Sequence, residues 1–166
     1  DPLLGGISPE IQQLLDDVAL VAPRDTTVVI LGETGTGKEL VARAVHQRSG
    51  AFVPVDCTGL SDSLLGSELF GHLPGAYTGA TQRRAGLVEA ARGGTLFLDE
   101  LGDATPRLQG ALLRLLEAGT YRSLGDDRER QADVRVVVAA QPSVETMVTD
   151  GRLRLENNAS ERALRH

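Results

Sequence analysis

TTVVILGETGTGKELVARAVH, residues 26–46, carries the decision about the fold. Its first six residues are β-branched or apolar without alternation, which predicts a strand buried on both faces of a parallel sheet. A glycine-rich turn follows at once, and the spacing predicts a helix over 38–48. Strand, glycine turn and helix in this order are what a phosphate-binding loop requires. Gly32, Gly35 and Gly37 let backbone N–H groups turn inward around phosphate oxygens, the helix N-terminus adds positive dipole, and Lys38 reaches the β and γ phosphates. The candidate nucleotide-binding residues are therefore Gly32, Glu33, Thr34, Gly35, Thr36, Gly37, Lys38 and Glu39, with Glu39 where a Ser or Thr usually ligates Mg²⁺. The alternative reading is a glycine-rich turn with no ligand.

Outward from this unit, strand-length apolar runs alternate with helical periodicity, the pattern of an α/β domain with a parallel sheet flanked by helices. Ser8 and Pro9 open a helix with Ile11, Leu14, Leu15 and Val18 on one face, and Pro23 ends it. FVPV at 52–55 is a second strand, 62–69 a short helix, 71–80 a loop and TLFL at 95–98 a third strand. Thr105 and Pro106 cap a helix bearing Leu108, Leu112, Leu115 and Leu116, and Gly119 suits its left-handed stop. The run VRVVVAA at 134–140 is expected to close the sheet.

Two further segments carry chemistry. The third strand ends in Asp99 and Glu100, at the sheet edge where α/β folds bind ligands. In phosphate-loop ATPases the first acid holds Mg²⁺ and the second polarises the attacking water; alone, such a pair is also a solvated helix start. GAYTGA, comprising Gly75, Ala76, Tyr77, Thr78, Gly79 and Ala80, has no catalytic groups. It is either a flexible surface loop or a movable contact loop in which glycine gives freedom and Tyr77 gives area.

Composition narrows the classes. The 166 residues are 41% hydrophobic and 24% charged, which excludes a disordered chain and fits one domain. A net charge of -6 argues against direct wrapping of DNA. Cys57 is the single cysteine, so neither an internal disulfide nor a cysteine-based zinc site can form. No apolar run reaches membrane-spanning length, and the expected location is cytoplasmic.

The segments GETGTGKELVARAVH, SELFGHLPGAYTGA, GGTLFLDELGDATPRLQGALLRLLE and VRVVVAA, in this order, resemble the AAA+ ATPase domain of sigma-54-dependent transcriptional activators. The resemblance implies an α/β P-loop AAA+ core over residues 1–150 that uses ATP and Mg²⁺ and self-associates into a ring. That ring couples hydrolysis to remodelling of RNA polymerase with sigma-54. It further implies that Lys38 binds phosphate, Asp99 organises Mg²⁺, Glu100 activates water and residues 75–80 press on sigma-54. Arg154 is the candidate trans-acting arginine, and Asp56 and Gln141 hold the switch and sensor positions. Glu39 fits the GKE that this family has after its glycines.

Departures from the family pattern bear on activity. Tyr77 stands where Phe is usual, Leu73 where Glu is common, and Ala140 with Gln141 where an ATN-type sensor is expected. Asp56 replaces an Asn, and is expected to face Glu100 with like charge and either raise the pKa of one of the two or break the switch. Together they imply relaxed selection or a decaying copy. Residues 151–166 resemble the C-terminal part of an insertion-sequence transposase, with Glu161 at its acidic position; the alternative is a polar helix. On that reading the gene was interrupted or fused near Gly151, the helical lid is missing, Ser160 occupies the second arginine's place and hydrolysis is impaired. The rival expectations are a nucleotide-binding module without appreciable hydrolysis, an adapter that displays GAYTGA to sigma-54, and a transposase-related DNA-binding role.

Overall fold

The computed structural model describes residues 8–33, 35–101 and 105–141, together with the backbone of 153–156. In chain order the elements are α1 (Pro9–Val21), β1 (Val28–Leu31), α2 (Lys38–Val45), β2 (Phe52–Asp56), α3 (Asp62–Phe70), α4 (Leu87–Ala90) and β3 (Thr95–Asp99), followed by α5 (Pro106–Glu117), β4 (Thr120–Tyr121), β5 (Arg130–Gln131), β6 (Arg135–Ala140) and β7 (Leu153–Glu156). The strands β2-β3-β6-β1-β7 pair in that order, all parallel, and β4 with β5 forms a small antiparallel ribbon between α5 and β6.

The absence of alternation in the apolar strands follows from helices on both faces. Leu96, Leu98, Val136 and Val138 share a cluster with Leu65 and Leu69 of α3, Val88 of α4 and Leu108, Leu112 and Leu115 of α5. Phe97, Val137 and Ala139, together with Val28 and Ile30, pack instead against Val21 of α1 and Val41, Ala42 and Val45 of α2. Successive residues of a strand point to opposite faces, so positions 96–98 of β3 and 136–139 of β6 meet a helix layer whichever way they face. Phe97 is fully buried between the layers, and Phe97→Ala there would cost about 3–5 kcal/mol.

The helix starts are set locally. Ser8, Ser61 and Thr105 each accept the N–H of the residue three positions on, at 3.3, 3.3 and 3.4 Å, and Pro9 and Pro106 occupy first-turn positions of α1 and α5. α2 differs: Gly37 precedes it in a left-handed conformation at φ 83°, and no side chain caps its first turn. Its C-terminus falls at Val45, three residues before the expected 48, because His46 is already extended.

The C-terminal ends of α1 and α2 converge on Arg135, which is 2% exposed. Its guanidinium donates to the carbonyls of Val21, Ala22, Thr26 and Val45 at 2.8–3.1 Å. One side chain at the start of β6 thus serves acceptors at the ends of both helices, with the Val21 carbonyl shared with the Arg24 N–H.

One expectation is corrected. The run at 134–140 does not close the sheet: β7 pairs with β1 in parallel register, Val28 opposite Leu153 and Leu31 opposite Glu156. Its LRLE is short and carries two charges, so it leaves little apolar signature, and an edge strand needs backbone pairing on one side alone. Residues 153–156 are therefore not helical, and β1 is an interior strand, in keeping with its wholly apolar VVIL. Gly151, Ser160 and Glu161 lie outside the described residues.

Candidate functional site

The C-terminal ends of β1, β6 and β3 lie side by side and deliver the 32–38 turn, Ala140 with Gln141, and Asp99 with Glu100 to one edge of the sheet. The Gly32 N–H donates to the Ala140 carbonyl at 3.1 Å, which ties the turn to β6. Lys38, 5% exposed, donates from Nζ to the Gly32 carbonyl at 2.7 Å and to Glu100 Oε1 at 3.1 Å. An ammonium has three donors, so one N–H of Lys38 has no protein partner among the described residues. Thr36 Oγ1 donates to the Glu33 carbonyl at 2.7 Å and braces the turn, with Gly35 at φ 82°. Thr34 lies outside the described residues. The open first turn of α2, the left-handed glycines and a cation with a free donor together form a cradle for an anion.

Glu100 has φ 54°, the one described non-glycine residue in the left-handed region. Holding a glutamate there costs roughly 1–2 kcal/mol, and strain of this kind is retained where the chain must turn a functional group. Burial first, then the neighbouring Glu100, raises the Asp99 pKa; Lys38 opposes this and Asp56 adds to it. Asp56 sits opposite Asp99 across the β2–β3 ladder.

The expected pairing of Asp56 against Glu100 is corrected here. Asp56 accepts from both the hydroxyl and the N–H of Thr58, at 2.6 and 2.9 Å, and these bonds hold its carboxyl below the usual value. Its like charge registers on Asp99 and on the Cys57 thiol. The Asp-Cys-Thr spacing is a local turn signal that points to this arrangement, since aspartate commonly bonds the backbone two residues on. Burial, reinforced by Asp56 and Asp99, pushes the Cys57 thiol up to about 12, so it stays protonated.

Of the other expected residues, Glu39 turns away from this cluster, Gln141 lies at its edge, and Arg154 is described by its backbone alone. The Glu39 carboxylate turns along the outside of α2 to Arg43 at 2.9 Å, leaving its backbone in the open first turn. Gln141 follows β6 on the exposed side of the same edge. Arg154 lies on β7 in register with Val29, upstream of the Gly32 turn; its side chain is outside the described residues.

The 75–80 segment is a hydrogen-bonded loop. Gly75 N–H donates to the Ala80 carbonyl at 2.8 Å and Ala80 N–H to the Tyr77 carbonyl at 3.1 Å. Its stem is fixed on both sides: His72 exchanges N–H···O bonds with Arg84, while Leu73 donates to Leu124 and Leu124 to Gly71. A side chain at Gly86 would collide with the backbone of Leu69, Phe70 and Gly71, so glycine is required where the return strand crosses the stem. Tyr77 is left 48% exposed at the tip.

The profile of the sigma-54 interaction domain matches residues 4–157. The chain belongs to the sigma-54 interaction domain family. It is 47% identical over 153 residues to the transcriptional regulatory protein ZraR of Escherichia coli, covering 90% of this chain and 35% of that protein. It is 46% identical over 155 residues to the Nif-specific regulatory protein of Azorhizobium caulinodans, covering 91% of this chain and 25% of that one. The chain thus spans a quarter to about a third of the length of these relatives. Among solved structures, NtrX from Brucella abortus in complex with ATP superposes with a TM-score of 0.75 at 30% identity, over 91% of this chain and 36% of that chain. This sigma-54 interaction domain is therefore an α/β core of AAA+ type, its parallel sheet flanked by helices. No described helix is long and apolar enough to cross a membrane.

Proposed function

We propose that this sigma-54 interaction domain binds ATP with Mg²⁺ and, assembled in a ring, couples binding and hydrolysis to remodelling of RNA polymerase with sigma-54. The observation that supports this most is the meeting of Lys38, the 32–38 turn and Glu100 at one sheet edge, with one Lys38 donor left over. In this reading the backbone N–H groups of the turn and Lys38 hold the phosphates. Lys38 exchanges its bond to Glu100 for a phosphate oxygen, which frees that carboxylate to orient water.

The residues fit Mg²⁺. The described residues contain no cluster of three or more potential protein ligands for a cation, and Mg²⁺ in nucleotide sites takes one or two carboxylates and fills its shell with water and phosphate oxygens. Asp99 is the residue placed to hold it, and the ion would neutralise charge on the phosphates. Arg154 is the proposed arginine acting on a neighbour's nucleotide, Asp56 and Gln141 the proposed switch and sensor, and residues 75–80 the proposed contact with sigma-54. The location is cytoplasmic and the chain makes no direct contact with DNA.

The test is a thermal melt with and without ATP-Mg²⁺. At a ligand concentration a hundredfold above Kd, binding should add about 2.7 kcal/mol to stability, and Lys38→Ala should remove most of that shift. An equal shift in both proteins overturns the reading.

A second reading, nucleotide binding without appreciable hydrolysis, is favoured by one observation. Asp56 is committed to Thr58 and offers no amide where the family has Asn. Steady-state ATP turnover measured against protein concentration separates the two, since ring assembly makes specific activity rise with concentration.

A further inference from the structure

His72 is 6% exposed and lies between α3 and the loop that carries Tyr77. Its Nδ1 is 2.9 Å from Ser67 Oγ, and Ser67, in α3, is itself buried. Its ring meets the Tyr77 ring edge to face, with centroids 5.0 Å apart and planes at 72°. No other described ring packs on Tyr77. The backbone of His72 is bonded to Arg84, so the imidazole has a fixed origin as well as a fixed orientation.

Tyr77 also borders a cleft of about 480 Å³ between α3 and α5, whose walls include Leu64, Phe70, Leu108 and Ala111. The phenol therefore has two places to rest: against the edge of His72, half in solvent, or deeper in this cleft on the Leu64, Phe70, Leu108 and Ala111 part of a lining that also holds Asp62, Glu68 and Arg84. A bare loop of small residues would let the ring seek apolar surface. An edge-to-face partner held by a hydrogen bond opposes that.

We propose that His72 is the positioning residue of the GAYTGA segment: oriented by Ser67, it holds the Tyr77 ring outward, out of the cleft, where a partner can meet it. The proposal rests on the reading that residues 75–80 are the contact segment for sigma-54. It assigns His72 no part in nucleotide chemistry.

The chain has two tyrosines, Tyr77 exposed and Tyr121 buried, so 3-fluorotyrosine labelling gives two ¹⁹F resonances with the second as an internal control. In the wild type a soluble paramagnetic gadolinium chelate should broaden the Tyr77 resonance and spare Tyr121. Ser67→Ala leaves the imidazole in place but frees it to rotate, and should reduce the Tyr77 broadening at least roughly twofold. His72→Phe keeps a ring of similar bulk without the bond to Ser67 and should act in the same direction; His72→Ala should have the largest effect. The ATP-induced thermal shift should be the same in all four proteins, while binding to purified sigma-54 should weaken roughly two- to tenfold, the range an aromatic pair commands. Undiminished broadening of Tyr77 in both Ser67→Ala and His72→Phe, with Tyr121 unchanged, overturns the proposal. If the wild type fails to bind sigma-54, the contact reading falls, and the ¹⁹F result still decides whether His72 positions the ring.

Discussion

Two cations are buried at opposite ends of the parallel sheet, and they are satisfied in opposite ways. Arg135, at the start of β6, spends four of its five N–H donors on four backbone carbonyls and has no ion pair among the described residues, although the charge of Asp25 acts on it. Lys38, just beyond the end of β1, has one carbonyl, one carboxylate that is 24% exposed, and a donor to spare. The first arrangement closes the fold, with the guanidinium enclosed by the helix ends that it ties together and 2% exposed. The second is incomplete without one. Burial of a charge is common to both, so burial alone does not mark a site; unspent hydrogen-bonding capacity beside solvent does.

The comparison can be broken by making the same substitution at both ends. Arg135→Met should strip the guanidinium from the Ala22, Thr26 and Val45 carbonyls, while Val21 keeps its bond from Arg24, and lower stability by on the order of 4 kcal/mol, read as a fall in the urea midpoint. Lys38→Met should cost only about 1 kcal/mol in the absence of nucleotide, because its partners can be rehydrated. Equal losses at the two positions would show that the open end is as structural as the closed one.

A smaller effect with the opposite sign sharpens the contrast. Burial and Glu100 hold the Asp99 carboxyl above its ordinary 3.8, so the folded state favours its protonated form. Its stabilising contribution is full below 3.8 and is lost as pH rises through the raised value. Asp99→Asn mimics the neutral form, so without nucleotide it should raise Tm at neutral pH, and the gain should vanish as the pH falls below the ordinary carboxylate range. Melts of the two proteins across that range check this, and a gain independent of pH would assign it to packing. Smallest of all, Glu39→Gln should remove an exposed pair with Arg43 and cost about 0.3–0.5 kcal/mol. ATP binding should be unaffected, since the Glu39 carboxylate points away from Lys38.

Most of the fold was legible because its signals are local. The β-branched runs, the Ser8 and Thr105 caps and the Gly119 stop each act within a few residues. What was not legible depends on distance along the chain. Lys38 and Glu100 meet across 62 residues, and Arg135 reaches carbonyls more than 80 residues away, although it sits inconspicuously at the head of an apolar run. The direction in which the Asp56 carboxylate turns has the same origin: the sequence supplies the charge, but its bonds to Thr58 are settled by geometry. β7 escaped notice because a two-charge tetrapeptide on an edge needs no apolar face of its own.

The solitary thiol beside this edge has a use of its own. Cys57 is 8% exposed, protonated well beyond neutral pH, and bonded through its N–H to the Asp99 carbonyl. An alkylating reagent reaches it when this edge opens, whether the end of β2 parts from β3 or α3 lifts from the cluster that covers the thiol, so its labelling rate is a clock for that opening. With no second cysteine to confuse the signal, the clock reads the breathing of the acidic edge directly. A ligand that bridges Lys38 and Asp99 should make it run slow.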